Sequence, residues 1–281
     1  MRQGEPSRTA YAAARHRAVH QLLEGGRVFA DPLAVAILGA DPAALVAEAE
    51  AEPGRRPMRL FIAARTRFAE ETVATAHTAG TRQLVVLGAG LDTFGYRQTH
   101  PGLRVFEVDH PATQEWKRQR LAEAGIAVPD SLHHVPVDFE RDSLLGQLTA
   151  AGFEPSRPAV FSWLGVVPYL TREAVLDTLR LIGGLPGGAQ LLFDYSEPPE
   201  SRSPEGRAAY ERSAARVAAL GEPWLTHFTP ADLAATLTDL GLPEIEDLDV
   251  DAIATRFFHR PPGSYPGGGA HLLRAAGPGA G

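Results

Sequence analysis

The first part of the chain has the residue pattern of helices and lacks strand-like runs. Stretches rich in Ala with Arg or Glu predict three helices, at residues 9–23, 41–50 and 60–77. Asp31-Pro32 has the form of a cap followed by a proline in the first helical turn, so a short helix through Ile37 is also expected. The sequence therefore predicts an all-helical N-terminal part.

Beyond this part, short apolar and β-branched runs alternate with helical segments. The runs predict five strands, at residues 83–87, 104–108, 134–137, 159–163 and 190–195. Helices are expected between them, at residues 113–124, 143–150 and 171–182. This alternation predicts an α/β fold with a Rossmann-like, doubly wound and mostly parallel sheet that is covered by helices on both faces.

The C-terminal part interrupts this alternation and then returns to it. Residues 196–224 are polar and rich in Pro and Ser before they become helical, and we expect an inserted lid over the mouth of a site. A helix is expected next, at residues 229–240. Residues 244–248 and 271–274 are expected to form a late antiparallel strand pair.

These elements predict three regions. Residues 1–80 would form a helical lid or cap, and residues 81–274 a Rossmann-like core that carries the inserted lid. Residues 275–281 are rich in Gly, Ala and Pro, and a disordered tail is expected there.

Composition narrows the classes of function. The net charge is -7 and no basic block stands out, so we expect no nucleic-acid partner. The absence of cysteine excludes disulfides, thiolate catalysis and Cys-ligated metals, and the scattered histidines suggest no metal site. No apolar run has the length of a membrane span, and the N-terminus lacks the apolar core of a signal peptide. The prediction is a soluble, cytoplasmic protein without a membrane partner.

A glycine loop, Gly88 to Asp92, comes directly after the first predicted strand. Gly88, Ala89 and Gly90 stand at the carboxyl end of that strand, where open α/β sheets bind ligands. Glycine permits positive φ angles and a close approach of the backbone to a ligand. Asp109 follows Gly90 by about twenty residues, the usual spacing for a carboxylate that binds a ribose diol. This much fits a nicotinamide dinucleotide and S-adenosylmethionine equally.

Two features of the loop distinguish these ligands. Thr93 stands where the dinucleotide fingerprint has a third small residue. Asp92 lies inside the loop, where a carboxylate would repel a pyrophosphate but would attract the sulfonium and ammonium groups of S-adenosylmethionine. The alternative role of Asp92 is to cap a helix. Charge therefore favours the methyl donor, and an NAD(P)-binding oxidoreductase stays as the alternative.

Segments along nearly the whole chain resemble class I S-adenosylmethionine-dependent methyltransferases of the leucine carboxyl methyltransferase type, especially the bacterial branch. The segments that carry this resemblance are PSRTAYAAARHRA, FADPLA, FIAARTRFAEE, VVLGAGLDTFGYR, VFEVDHPATQEWKRQRL, VPVDFE, WLGVVPYLTREAV and GEPWLTHFTPADLAATL. VLGAGLDT and FEVDHP together are its specific elements. The resemblance implies S-adenosylmethionine as cofactor.

The resemblance also implies a role for each residue of a donor site. Arg65 would pair with the methionine carboxylate, which its planar fork fits with two hydrogen bonds. The glycine loop would line the methionyl and ribose portions, and Asp109 would accept both ribose hydroxyls. Asp138 would bind the adenine amino group, and Phe139 would contact the ring. By residue type alone, Asp138 would be assigned to a helix cap and Phe139 to the core.

The chain departs from the family pattern after the fourth strand. Ser162-Trp163-Leu164-Gly165 stands where family members often have an Ala-Glu-Gly-Leu-like stretch. Leu164 thus replaces the acidic residue, which would remove a polar contact to the donor and make the acceptor side more apolar.

The expected chemistry is an in-line displacement that needs an acceptor lone pair about 3 Å behind the methyl carbon. A carboxylate acceptor needs no general base, whereas a hydroxyl would be helped by one. Candidate acceptor-pocket residues are Tyr11, Trp163, Tyr169, Tyr195, His227 and Arg256. His227 is the best-placed candidate base among them, although no catalytic residue is assigned.

The leading hypothesis is O-methylation of a small molecule, in specialised metabolism. The alternatives are the oxidoreductase and a regulatory module that binds the donor without turnover.

Overall fold

A computed structural model describes residues 7–138, 142–219, 221–264 and 269–277. The strands are β1 (Gln83–Leu87), β2 (Arg104–Asp109), β3 (Leu132–Pro136), β4 (Ala159–Trp163), β5 (Ala189–Ser196), β6 (Glu244–Leu248) and β7 (Ala270–Ala276). The α-helices are α1 (Arg8–Glu24), α2 (Pro42–Ala51), α3 (Arg56–Thr78), α4 (Phe94–Arg97), α5 (Pro111–Glu123), α6 (Leu144–Ala150), α7 (Arg172–Gly183), α8 (Pro204–Ala219), α9 (Pro230–Asp239) and α10 (Val250–Phe258).

The seven strands form one sheet in the order β3-β2-β1-β4-β5-β7-β6. β1 to β5 run parallel to one another, and β7 is antiparallel to both β5 and β6. The predicted α/β, Rossmann-like sheet with a late antiparallel strand pair is therefore confirmed. The strand order reverses between β1 and β4, and such switch points are where open α/β sheets bind their ligands.

Helices cover both faces of the sheet. On one face, Leu148 of α6, Leu179 of α7 and Leu233 of α9 belong to the same apolar cluster as the strands. On the other face, Phe68 of α3 and Phe257 of α10 pack in a second cluster. Every residue of β1 and β4 is buried, which explains why these strands are mostly apolar, apart from Gln83 and Ser162, rather than alternating.

The N-terminal helices pack onto the core through a third apolar cluster. Ala14 and Ala18 of α1 belong to it, together with Leu91 of the glycine loop and Leu121 of α5. The N-terminal end of α1 is capped by Ser7, whose hydroxyl accepts a hydrogen bond from the backbone N–H of Ala10. The helical part therefore touches the glycine loop. None of the helices within the described ranges has the length and apolar character needed to cross a membrane.

The prediction of a helix after Asp31 is wrong. The Asp31 carboxylate accepts hydrogen bonds from the backbone N–H of Leu33 (3.0 Å) and from the Thr93 hydroxyl (2.6 Å). The chain forms a turn here and then a short 3-10 helix at Ala36–Leu38. Asp31 is 2% exposed, so its side chain is committed to a tertiary contact near the glycine loop rather than to a helix end.

Two features near the C-terminus also differ from expectation. The helix α10 was not predicted from the sequence, and Asp249 caps it through a 2.7 Å hydrogen bond from the Ala252 N–H. The boundary of the expected tail is wrong as well, because Ala275 and Ala276 belong to β7 and are fully buried. Residues 278–281 lie outside the described residues.

A buried ion pair supports β2 from α5. Lys117, the only lysine in the chain, places Nζ 2.7 Å from Glu107 Oε2, and both side chains are 1% exposed. The Tyr96 hydroxyl donates to the same oxygen at 3.0 Å. Burial raises the pKa of Glu107, and the charge of Lys117 opposes that rise. Each charge therefore depends on the other for its stability in the interior.

A second polar cluster joins β5, β6 and β7. His271 Nδ1 lies 2.9 Å from Asp247, and Nε2 lies 3.1 Å from Glu197. The Tyr195 hydroxyl donates to the other Asp247 oxygen at 2.6 Å, and its ring stacks on His271. Burial lowers the pKa of His271, but hydrogen bonds and attraction from the two carboxylates outweigh burial and raise it overall.

We expect Lys117→Met to lower the free energy of unfolding by about 3–5 kcal/mol, because it leaves the buried Glu107 carboxylate without its counter-ion. Chemical denaturation measures the loss. Arg118→Met on the same helix is the control, since Arg118 is half-exposed and its ion pair is long (3.9 Å). Equal losses in the two variants would contradict the prediction.

We expect the stability contributed by His271 to be present at low pH and to fall as pH rises. Its folded-state pKa is raised, so the contribution is complete below the unfolded value of about 6.5 and is lost through the folded value. His271→Gln should therefore lose less stability than the wild type as pH rises from about 6 through the raised folded-state pKa, as measured by urea unfolding. His77→Gln, outside this cluster, should keep the wild-type slope.

Candidate functional site

A cavity of about 450 Å³ opens at the carboxyl ends of β1, β2 and β4. It is lined by the glycine loop, by α3, by the ends of the strands, by the start of α1, and by residues 221–223 with Leu225. The cavity thus lies at the switch point of the sheet, and its volume is within the range of small-molecule sites.

The glycine loop requires its two glycines for steric reasons. Gly88 and Gly90 have φ angles of 67° and 47°, in the left-handed region that favours glycine. A Cβ at Gly88 would overlap the Val166 side chain, and one at Gly90 would lie 2.9 Å from Ala10 Cβ. Because these two glycines have no side chain, Ala10 of α1 and Val166 after β4 are able to pack directly against the loop.

The Asp109 carboxylate fastens the glycine loop to the end of β2. Its Oδ2 accepts a 2.6 Å hydrogen bond from the Gly90 N–H, and its Oδ1 accepts a 2.7 Å bond from the His110 N–H. Burial raises the pKa of Asp109, and the two backbone N–H groups oppose the rise. Because each oxygen has further acceptor capacity, hydroxyl groups of a ligand would stabilise the charged form.

Asp92 combines the two roles that the sequence left open. Its Oδ1 accepts a 2.8 Å hydrogen bond from the Phe94 N–H at the start of α4. The residue also lines the cavity. Its carboxylate therefore holds the end of the loop and adds negative charge to the site.

Carboxylates outnumber guanidiniums around the cavity. Among the described lining residues the carboxylates are Asp92, Asp109, Asp138 and Glu222, and the guanidiniums are Arg17 and Arg65. Both guanidiniums also face carboxylates: Arg17 Nε lies 3.8 Å from Asp31, and Arg65 Nη1 lies 3.0 Å from Asp194. The potential is therefore negative, which favours a cationic ligand and disfavours a diphosphate.

The donor-site candidates come together at this cavity. Arg65, the glycine loop, Asp109 and Asp138 all line it. Phe139 lies outside the described residues. Leu164, which stands in the place of the family's acidic residue, also lines the cavity and makes that part of the wall apolar.

The acceptor candidates are mostly placed elsewhere. Tyr169 lines the cavity. Trp163 is 1% exposed and packs against Phe193, because successive side chains of β4 alternate between faces and its neighbours Ser162 and Leu164 take the cavity side.

The remaining four candidates do not line the cavity. Tyr195 directs its hydroxyl to Asp247 at the β6 edge, and Arg256 forms ion pairs with Glu71 and Glu246. Tyr11 and His227 contact neighbouring side chains instead: the Tyr11 ring packs beside Trp116, and His227 Nε2 lies 2.7 Å from the Tyr210 hydroxyl. No cluster of three or more His, Asp or Glu side chains suited to a metal occurs among the residues for which placement is described.

Three charged residues of the site were not predicted from the sequence. Arg17 did have a local signal, because Ala10, Ala13 and Arg17 share one face of α1 and all line the cavity. Asp194 and Glu222 had no such local signal in the sequence. Each acts through a contact with a distant part of the chain.

Glu222 joins the inserted segment to α1. Its carboxylate accepts hydrogen bonds from the backbone N–H groups of Arg8 and Thr9, both at 3.2 Å, and from the Ser7 hydroxyl at 3.4 Å. It therefore caps the helix from a position more than 200 residues away. The start of α1 and the inserted segment therefore meet beside the cavity, which Ser7, Thr9 and Glu222 all line.

A family model described as leucine carboxyl methyltransferase matches residues 10–183, which extend from α1 to α7. YktD of Bacillus subtilis, by name a candidate S-adenosyl-L-methionine-dependent methyltransferase, is 36% identical over 200 residues, which cover 69% of this chain and 65% of YktD. A candidate of the same name from Mycobacterium avium is 34% identical over 225 residues, which cover 70% of this chain and 71% of its own. The chain thus spans just under two thirds of the YktD sequence.

Solved structures share the fold over nearly the whole chain. A candidate methyltransferase from Thermobifida fusca matches with a TM-score of 0.57 at 18% identity, covering 98% of this chain and 96% of that one. A protein of the DUF574 family from Streptomyces avermitilis matches with a TM-score of 0.55 at 20% identity, covering 94% and 97%.

We expect Glu222→Ala to loosen the start of α1 without unfolding the core. Losing the carboxylate cap costs about 1 kcal/mol locally, so backbone amides at the start of α1 should exchange hydrogen faster. Hydrogen exchange read by mass spectrometry measures this change. Glu211→Ala, at an exposed position of α8, is the control, and an equal effect of both substitutions would contradict the role of Glu222.

Proposed function

The chain belongs to the leucine carboxyl methyltransferase family, and we propose that it transfers the methyl group of S-adenosylmethionine to a carboxylate or hydroxyl oxygen of a small molecule, as a reaction of specialised metabolism. The observation that carries this proposal is the negatively charged cavity at the switch point, with Asp109 fixed beside the glycine loop. The names of the matching relatives support the assignment of S-adenosylmethionine as the methyl donor.

The residues present fit this donor. Asp109 would accept hydrogen bonds from the ribose hydroxyls, and Asp138 would accept one from the adenine amino group. Arg65 would bind the methionine carboxylate, and Asp92 would contribute attraction for the cationic part of the donor. This arrangement would place a positive charge of the chain against the donor's carboxylate and a negative charge near its cationic part.

S-adenosylmethionine supplies an electrophilic methyl group, which the acceptor oxygen takes as the C–S bond breaks and the bonding electron pair returns to sulfur. The chain's own contribution is to orient the acceptor and exclude water. Leu164, Val166 and Leu170 line the cavity and provide an apolar wall for this purpose. Tyr169 adds an aromatic surface to the same wall.

The nature of the acceptor determines whether a base is needed. A carboxylate is ionised near neutral pH and attacks directly, whereas a hydroxyl must lose its proton. His110 lines the cavity, but its Nδ1 accepts a hydrogen bond from the Ala112 N–H and thereby caps α5. A carboxylate acceptor therefore needs no proton-accepting side chain among the described lining residues, which makes it the simplest acceptor for this site.

Calorimetric titration with S-adenosylhomocysteine tests the proposal. We expect the wild type to bind it and Asp109→Asn to bind about 10- to 100-fold more weakly, because hydrogen bonds to a charged group contribute about 1.5–3 kcal/mol. Asp130→Asn, before β3 and outside the cavity, should bind like the wild type. Release of S-adenosylhomocysteine from the donor in an acceptor screen then reports turnover.

Other outcomes would favour the alternatives. Binding of NADH without binding of S-adenosylhomocysteine would support an oxidoreductase. Normal donor binding with no methyl transfer across a panel of carboxylic acids and phenols would support a regulatory module. Unchanged affinity in Asp109→Asn would contradict the placement of the ribose.

A further inference from the structure

The end of β5 brings a buried carboxylate, Asp194, up to the cavity wall. Asp194 is 7% exposed. Its Oδ1 accepts a 2.5 Å hydrogen bond from the Gly165 N–H, and its Oδ2 accepts a 3.0 Å bond from Arg65 Nη1. One side chain therefore fixes both the loop after β4 and the guanidinium that comes from α3.

The Arg65 guanidinium is also held by the backbone of Gly165. Gly165 has a φ of 70°, and a Cβ placed there would lie 2.8 Å from both Nη1 and Nη2 of Arg65. The guanidinium thus lies directly on the bare backbone of the loop. Asp194 and Gly165 together allow it little freedom to turn.

Arg65 keeps hydrogen-bond donors available, in contrast to a second arginine of the same helix. Arg59 uses both Nε and Nη2 on the Glu24 carboxylate, at 2.7–3.2 Å, so its fork is occupied within the chain. The bond from Arg65 to Asp194 uses Nη1, whereas a guanidinium has five N–H donors in all. Arg65 also lines the cavity, so its other N–H groups are able to meet a ligand carboxylate there.

We propose that Asp194 is a positioning residue of the donor site. One carboxylate oxygen orients Arg65 toward the carboxylate of the donor's methionine portion, and the other holds the Leu164–Val166 segment beside the donor. This inference rests on the proposed function. Its physical basis is preorganisation: a guanidinium already held in the binding orientation loses less side-chain entropy when the ligand arrives.

Two ligands separate positioning of Arg65 from a general structural role. S-adenosylhomocysteine carries the carboxylate, and 5′-methylthioadenosine lacks the amino acid part. Asp194→Asn keeps the size of the side chain and an oxygen for the Gly165 N–H, but removes the charge that holds Arg65. We expect calorimetry to show about tenfold or greater weakening for S-adenosylhomocysteine and a change below about threefold for 5′-methylthioadenosine.

The matched control is Asp247→Asn. Asp247 is a partly buried carboxylate of β6 that bonds to Tyr195 and His271 outside the cavity. Its substitution should leave the affinity for both ligands unchanged. Gly165→Ala is a second test that keeps Asp194: the added Cβ would displace the guanidinium, so the affinity for S-adenosylhomocysteine should fall.

A double-mutant cycle completes the test. Arg65→Ala should reproduce the selective loss, and adding Asp194→Asn to it should cost nothing further, because Asp194 acts through Arg65. Equal weakening of both ligands in Asp194→Asn, or additive losses in the double variant, would overturn the positioning role. A wild type that binds neither ligand would instead refute the proposed function, and the inference with it.

Discussion

Two hydrogen bonds from backbone N–H groups to Asp109 are the contact on which the site depends. One of them ties Gly90 of the glycine loop to the end of β2 at 2.6 Å, and both Gly90 and Asp109 line the cavity. The loop is able to approach Asp109 because Gly88 and Gly90 adopt positive φ angles that other residues rarely tolerate. Loop conformation, carboxylate placement and the negative potential of the cavity therefore all depend on this junction.

Both arginines among the described lining residues of the cavity pair with carboxylates of the chain. Arg17 lies 3.8 Å from Asp31, and Arg65 lies 3.0 Å from Asp194. Such pairing offsets the positive charge that lines the cavity, whereas Asp92 and Asp109 accept hydrogen bonds from backbone N–H groups. The sign of the potential thus depends on which carboxylates are paired with arginine, and it supports a sulfonium ligand over a diphosphate.

Much of the fold was predictable because its signals are local. β1 and β4 coincide with the predicted strands, since short buried strands of parallel sheets are mostly apolar. The helix expected after Asp31 was wrong because the buried carboxylate bonds to Thr93, 62 residues away. Trp163 was a reasonable pocket candidate by residue type, but a strand turns alternate side chains to opposite faces, and the register of the sheet decided which face.

The sequence by itself determined the position of the glycine loop, the spacing of about twenty residues to the acidic residue after it, and the alternation of strands and helices. Each of these features is specified by residues that are close together along the chain. Only the tertiary structure decided that Asp194 holds Arg65 across 129 residues and that Glu222 caps α1 across more than 200. Neither carboxylate has a local pattern that marks it, since its partner is set by how β5 and the inserted segment pack against helices from the start of the chain.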